Sequence, residues 1–158
     1  MRTLGIDFGE RRIGLAISDA GGTFAMPLFT LERRSDPAAI ARIGEIIREE
    51  EVESLVVGEP VNVDGTRGPA AERARSFAAK LAAATGLPLR LVGETLTTVA
   101  AAERLREAGV DARRARGRID SVAAQILLEE ALATPPPGKA TGAIGAIEAI
   151  EAIERAVA

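Results

Sequence analysis

Short apolar runs recur along the first part of the chain, first in close succession and then alternating with stretches of helical periodicity. That order constrains the fold more than any other feature of the sequence. Thr3 to Asp7 reads as a buried strand and Ile13 to Ser18 as a second, joined by the turn FGERR in a hairpin pattern. Pro27 to Leu31 supplies a third candidate strand. Asp36-Pro37 then gives an N-cap followed by proline at the first helical position, and Ile40, Ile43, Ile46 and Ile47 repeat at helical spacing to about Glu51. Ser54 to Gly58 (SLVVG) has the composition of a central parallel strand, and the polar loop EPVNVDGTRG follows it. Pro69 starts a second helix with Phe77, Ala78, Leu81 and Ala82 on one face and Gly86 as its stop. Leu89 to Val92 forms a fifth strand ending at Glu94. Thr97 or Thr98 caps a third helix running to Gly109, a basic loop follows, and a last core helix is expected from Ile119 to about Ala133.

Hairpin strands followed by alternating strand and helix units imply an α/β fold with a five-stranded mixed sheet and helices on both faces. In such sheets ligands sit at the carboxyl ends of the strands. Residues 1–133 of the 158 form one domain by this reading, and 134–158 differ in character. PPPGKATG reads as a linker, and GAIGAIEAIEAIERAVA is a low-complexity Ala/Ile/Glu tail. Its Ile144, Ile147, Ile150 and Ile153 are spaced by three, which on a helix of about 3.6 residues per turn drifts by roughly 60° per step. An amphipathic helix or a frayed tail both fit that pattern, and no function is assigned to it.

The chain contains neither histidine nor cysteine. Imidazole bases, thiolate nucleophiles and nitrogen or sulfur zinc sites are thereby excluded, so hydrolytic chemistry would rest on carboxylates and a hard metal such as Mg²⁺ or Mn²⁺. No run approaches the ~20 apolar residues of a membrane span, and the start MRTLGID lacks the layout of a signal peptide. A cytoplasmic protein is the expectation. Net charge is −3, which by itself opposes nucleic-acid binding, but its distribution is uneven. Arg113, Arg114, Arg116 and Arg118 precede Asp120, and Arg11 and Arg12 follow Asp7.

Asp7 ends an apolar strand, Glu94 ends another, and Asp120 opens an apolar helical stretch. Judged singly, Asp7 divides evenly between a metal ligand and an Asx-turn into Phe8-Gly9. Glu94 reads as an exposed loop residue and Asp120 as a helix cap. Only the three together, each at a strand end or helix start, favour a divalent-metal site. Arg12, Asn62, Arg116 and Arg118 are candidates for the substrate. Asp64-Gly65 reads as a tight turn and Asp19 as a strand-end turn residue.

Residues 5–19 (GIDFGERRIGLAISD), 57–69 (VGEPVNVDGTRGP), 94–98 (ETLTT) and 118–124 (RIDSVAA) resemble, in order, the motifs of the YqgF family of pre-16S rRNA nucleases and Holliday-junction-resolvase-like proteins. The resemblance covers about residues 1 to 133. It implies an RNase H-like fold, puts the family's three acidic positions on Asp7, Glu94 and Asp120 as metal-binding and catalytic residues, and implies Mg²⁺- or Mn²⁺-dependent phosphodiester hydrolysis leaving a 5′-phosphate and a 3′-hydroxyl. Where the family reads Asp-Glu-Arg, this chain has Gly93, Glu94 and Thr95, so one acidic and one basic group are missing. The implied partner is structured RNA, most directly the precursor of small-subunit ribosomal RNA or the ribosome, with branched DNA as the alternative; no membrane is implied, and a monomer or homodimer is expected. Two rival readings remain at this stage. The opening hairpin also resembles the phosphate-binding hairpin of actin-like ATPases and sugar kinases, and the same fold could serve as a non-catalytic nucleic-acid-binding module.

Overall fold

A computed structural model of the chain describes residues 1–62, 64–94 and 97–134, with the backbone alone at 94, 97 and 98. The linker and tail expected over 134–158 lie outside the described residues, apart from Thr134. Five strands and four helices follow in the order β1 (Thr3–Phe8), β2 (Arg12–Ser18), β3 (Ala25–Glu32), α1 (Asp36–Glu49), β4 (Ser54–Pro60), α2 (Pro69–Thr85), β5 (Leu89–Glu94), α3 (Thr97–Glu107) and α4 (Ala112–Ala133). The sheet order is β3-β2-β1-β4-β5. β1 pairs antiparallel with β2 and β2 with β3, while β1–β4 and β4–β5 are parallel. The mixed five-stranded sheet expected from the sequence is the one observed. No helix among the described residues is long and apolar enough to cross a membrane.

Strand alternation divides the core into two layers. Leu4, Ile6 and Phe8 of β1, with Ile13, Leu15 and Ile17 of β2 and Leu55 and Val57 of β4, face α1 and α2. There Phe8 stacks on Phe77 with ring centroids 4.6 Å apart. Burying each such side chain contributes about 1.5–3 kcal/mol, so this layer dominates stability. The opposite face carries small residues, and α4 lies on it through Ala124, Leu127, Leu128 and Ala131 against Ala16 and Val56. α3 covers the outer side of α4 through Ala101 and Leu105.

β3 is an edge strand, which explains how it holds Pro27: a residue without an N–H is tolerated where the ladder is irregular, and the β2–β3 register shifts between Gly14 and Ala16.

Two helix starts differ from expectation. The cap of α1 is Ser35, whose hydroxyl accepts from Ala38 N at 3.2 Å, so Asp36 is already in the first turn. The larger correction concerns α4. The expected basic loop before Ile119 is helical from Ala112, capped by Asp111, whose carboxylate accepts from Arg114 N at 2.9 Å. Arginine and alanine are strong helix formers, and Gly117 costs only about 1 kcal/mol. Asp120 therefore lies inside α4 and is not its cap.

Candidate active site at the carboxyl edge of the sheet

The parallel strands β1, β4 and β5 all end at one edge of the sheet, and the acidic residues are distributed along it. Ile6 is level with Val57, and Val57 with Leu91, so Asp7 stands one residue nearer that edge. Asp7 belongs to the ladder itself, opposite Gly14 of β2, which displaces the Asx-turn reading. Its half-buried side chain alternates with those of Ile6 and Phe8 and so occupies the α4 face.

Gly14 decides what meets Asp7 there. A β-carbon at position 14 would lie 1.9 Å from the carbonyl oxygen of Asp120 and 3.0 Å from Ser121 N. Only a glycine lets the α4 backbone settle onto the β1–β2 hairpin, and this contact sets Asp120 beside the strand pair that carries Asp7. Gly5, two residues before Asp7 on the same face, makes the same allowance for Leu128, whose Cβ would be 2.9 Å away.

Asp120 Oδ2 forms an ion pair with Arg12 Nε at 3.2 Å, the side chains being 24% and 63% exposed. Arg12, expected to meet substrate, thus also neutralises a candidate metal ligand. Glu94 is the last residue of β5, opposite Pro60, and its side chain lies outside the described residues. Among the described residues no group of three acidic side chains is gathered in a way that would hold a metal. Asp7 and Asp120 are brought to one place, and the Glu94 backbone ends on the same edge.

Arg116 and Arg118 are exposed on the first turns of α4 together with Arg113 and Arg114. Arg118 also borders a groove of about 430 Å³ between β3 and the α3–α4 pair, lined in part by Leu28, Leu105, Val122 and Gln125. Asn62 is exposed in the β4–α2 loop, but its amide donates to Thr66 Oγ1 at 3.0 Å and its backbone N to Thr66 O at 2.9 Å. Asp64 Oδ1 accepts from the Thr66 hydroxyl and backbone N, bonds that hold its carboxyl below the usual value, and Gly65 has φ 83°. Asp64-Gly65 is therefore a turn. Asp19 is another: its carboxylate accepts from Phe24 N and Thr23 N, which lowers its pKa in the same way.

The sequence reading passed over Glu59. This residue is 3% exposed, and its Oε1 meets Arg67 Nε at 2.9 Å and Arg75 Nε, as ion pairs without aligned hydrogen bonds. A charged residue inside the run SLVVGEP, followed by arginines on the next loop and helix, was the available signal.

A family model described as "RuvX: Holliday junction resolvase" matches residues 1–134. A protein of Anaeromyxobacter dehalogenans named "Putative pre-16S rRNA nuclease" is 46% identical over 129 residues, covering 82% of this chain and 94% of its own. A protein of the same name from Maridesulfovibrio salexigens is 42% identical over 133 residues, covering 84% of this chain and 98% of its own. Among solved structures, T. thermophilus RuvC in complex with a Holliday junction substrate superposes with a TM-score of 0.53 at 21% identity, over 84% of this chain and 94% of that one. That likeness shows the fold, which is RNase H-like.

Proposed function

The chain belongs to the RuvX family, described as Holliday junction resolvase, and from that premise we propose that it is a divalent-metal-dependent endonuclease acting in 5′-end processing of pre-16S ribosomal RNA. The observation that carries this reading is the placement of Asp7 and Asp120 on either side of Gly14 at the carboxyl edge of the sheet. The family description favours a second substrate, branched DNA. Arginines beside a site read phosphate, not base, and so suit either substrate.

The donor set suits a hard cation. It offers oxygen only, and one of its carboxylates already rests against a positive charge, that of Arg12. Asp7, Glu94 and Asp120 would hold Mg²⁺ or Mn²⁺, which when bound supplies activation of water and stabilisation of charge on the departing oxygen. The remaining work belongs to the protein. Arg12 neutralises Asp120, and its guanidinium, 63% exposed, would be available to a phosphate oxygen. Arg116 and Arg118, on the exposed side of α4, would meet the backbone further along. With no histidine in the chain, protons leave through carboxylates and solvent.

The test is cleavage of a labelled small-subunit ribosomal RNA precursor and of a four-way DNA junction with Mg²⁺, Mn²⁺ or EDTA. Asp7→Asn, with its folding checked by circular dichroism, is the control. Metal-dependent cutting of the RNA that the variant loses supports the proposal, and cutting of the junction alone moves the substrate to DNA. No cutting of either leaves a binding module of the same fold.

A further inference from the structure

At the carboxyl end of β4 a buried acid faces away from Asp7. Glu59 lies on the same face of β4 as Leu55 and Val57 and therefore points to the α2 side of the sheet, where Arg75 of α2 and Arg67 of the loop between β4 and α2 share its Oε1. Arg75 is 9% exposed and balances the buried carboxylate inside the fold. Arg67 is surplus to that balance. Its Nε lies 2.9 Å from Glu59 while 56% of its side chain remains in solvent, so the cluster's excess positive charge is presented outward.

The loop that carries Arg67 is tied down. Besides the Asn62–Thr66 and Asp64–Thr66 bonds, Gly65 N donates to Asn62 O at 2.8 Å. Among the described residues Arg67 makes no side-chain hydrogen bond, and its one ion-pair partner is Glu59. An arginine paired through Nε, with more than half of its side chain in solvent, has already given up part of the freedom that phosphate binding would otherwise cost it. Its place is relevant too: Asp7 is level with Gly58, so Glu59 is the next residue toward the edge where Asp7 and Glu94 lie.

We propose that Arg67 contacts a phosphate of the nucleic-acid backbone beside the site, and that Glu59 is the positioning residue that aims it. This rests on the nuclease reading above. The experiment compares wild type, Arg67→Ala, Arg67→Lys, Glu59→Gln and the double variant Glu59→Gln/Arg67→Ala on the labelled ribosomal RNA precursor and the four-way DNA junction, measuring KM, kcat and the dependence of binding on salt. Losing one phosphate contact lowers the slope of log affinity against log salt by about one, and at ~0.15 M salt weakens binding about fivefold. Arg67→Ala is expected to raise KM by that factor with kcat and melting temperature unchanged, because Arg75 still pairs with Glu59, and Arg67→Lys restores the slope. Glu59→Gln should raise KM alone but add nothing in the Arg67→Ala background, although its loss of stability persists there. If Glu59→Gln does not fold, the Arg67 variants decide. An unchanged KM and salt slope in Arg67→Ala, with wild type active, overturns this inference and leaves the nuclease standing; a wild type that neither binds nor cuts either substrate overturns both.

Discussion

The carbonyl oxygen of Asp120 rests on Gly14: a β-carbon at position 14 would lie 1.9 Å from it. Both sides of this contact are backbone, so no rotamer change relieves it. Gly14→Ala must push α4 off the β1–β2 hairpin, and it should cost at least about 3 kcal/mol in urea unfolding. Nuclease activity should fall with it, since Asp120 is carried on the displaced helix. An unchanged unfolding midpoint would mean that α4 does not pack this closely.

Arg12 and Asp120 should behave as a counter-ion pair and not as a structural bond. With Arg12 63% exposed, the pair is worth about 0.2–1 kcal/mol, so Arg12→Gln should shift melting very little. Removing the competing cation should instead tighten binding of Mn²⁺ in calorimetry while weakening binding of nucleic acid. Weaker metal binding in the variant would sink the idea.

Asp36 joins α1 to α2 through Lys80 Nζ at 3.0 Å and is braced by Arg33 Nε at 2.9 Å. Burial pushes its carboxyl up, but the bonds from Lys80 and Arg33 outweigh burial and hold it below the ordinary 3.8. The folded state therefore binds this proton less readily than the unfolded chain does. The resulting stability is complete above the unfolded value and is lost as pH falls through the lowered folded one. Asp36→Asn should cost about 1 kcal/mol at neutral pH, and its gap from wild type should close as pH drops below about 4. A gap independent of pH would assign the effect to packing.

Glu51 follows α1 with φ 54°, a left-handed conformation that side chains other than glycine's adopt at a cost. Val52 N reaches back to Ile47 O at 3.0 Å, closing the helix in the geometry where glycine is preferred at position 51. Glu51→Gly should therefore raise stability by about 0.5–1 kcal/mol, read as a higher urea midpoint at unchanged slope. A lower midpoint would show that Glu51 makes a contact outweighing the strain.

The strand and helix order was readable along the chain because periodicity is local. Alternation in Leu4, Ile6 and Phe8 and helical spacing in Ile43, Ile46 and Ile47 follow from how each element is half buried, whatever it packs against. The absence of histidine and cysteine was equally decisive, since it limits the chemistry to oxygen ligands before any fold is known. Residue types could also nominate Asp7, Glu94 and Asp120, but not whether they meet.

That question belongs to tertiary structure. Gly14 gave no sign in the sequence that α4 would close on it, because a close approach is a property of two segments distant in the chain. Asp120 looked like a helix cap until the arginines before it proved to be helical, with Asp111 supplying the cap. Arg12 looked free for substrate until folding set it 3.2 Å from Asp120, and Glu59 looked unremarkable until burial left it needing Arg75. Local propensity determines which elements form; the depth of a charge and the identity of its partner arise only when separate elements exclude water between them.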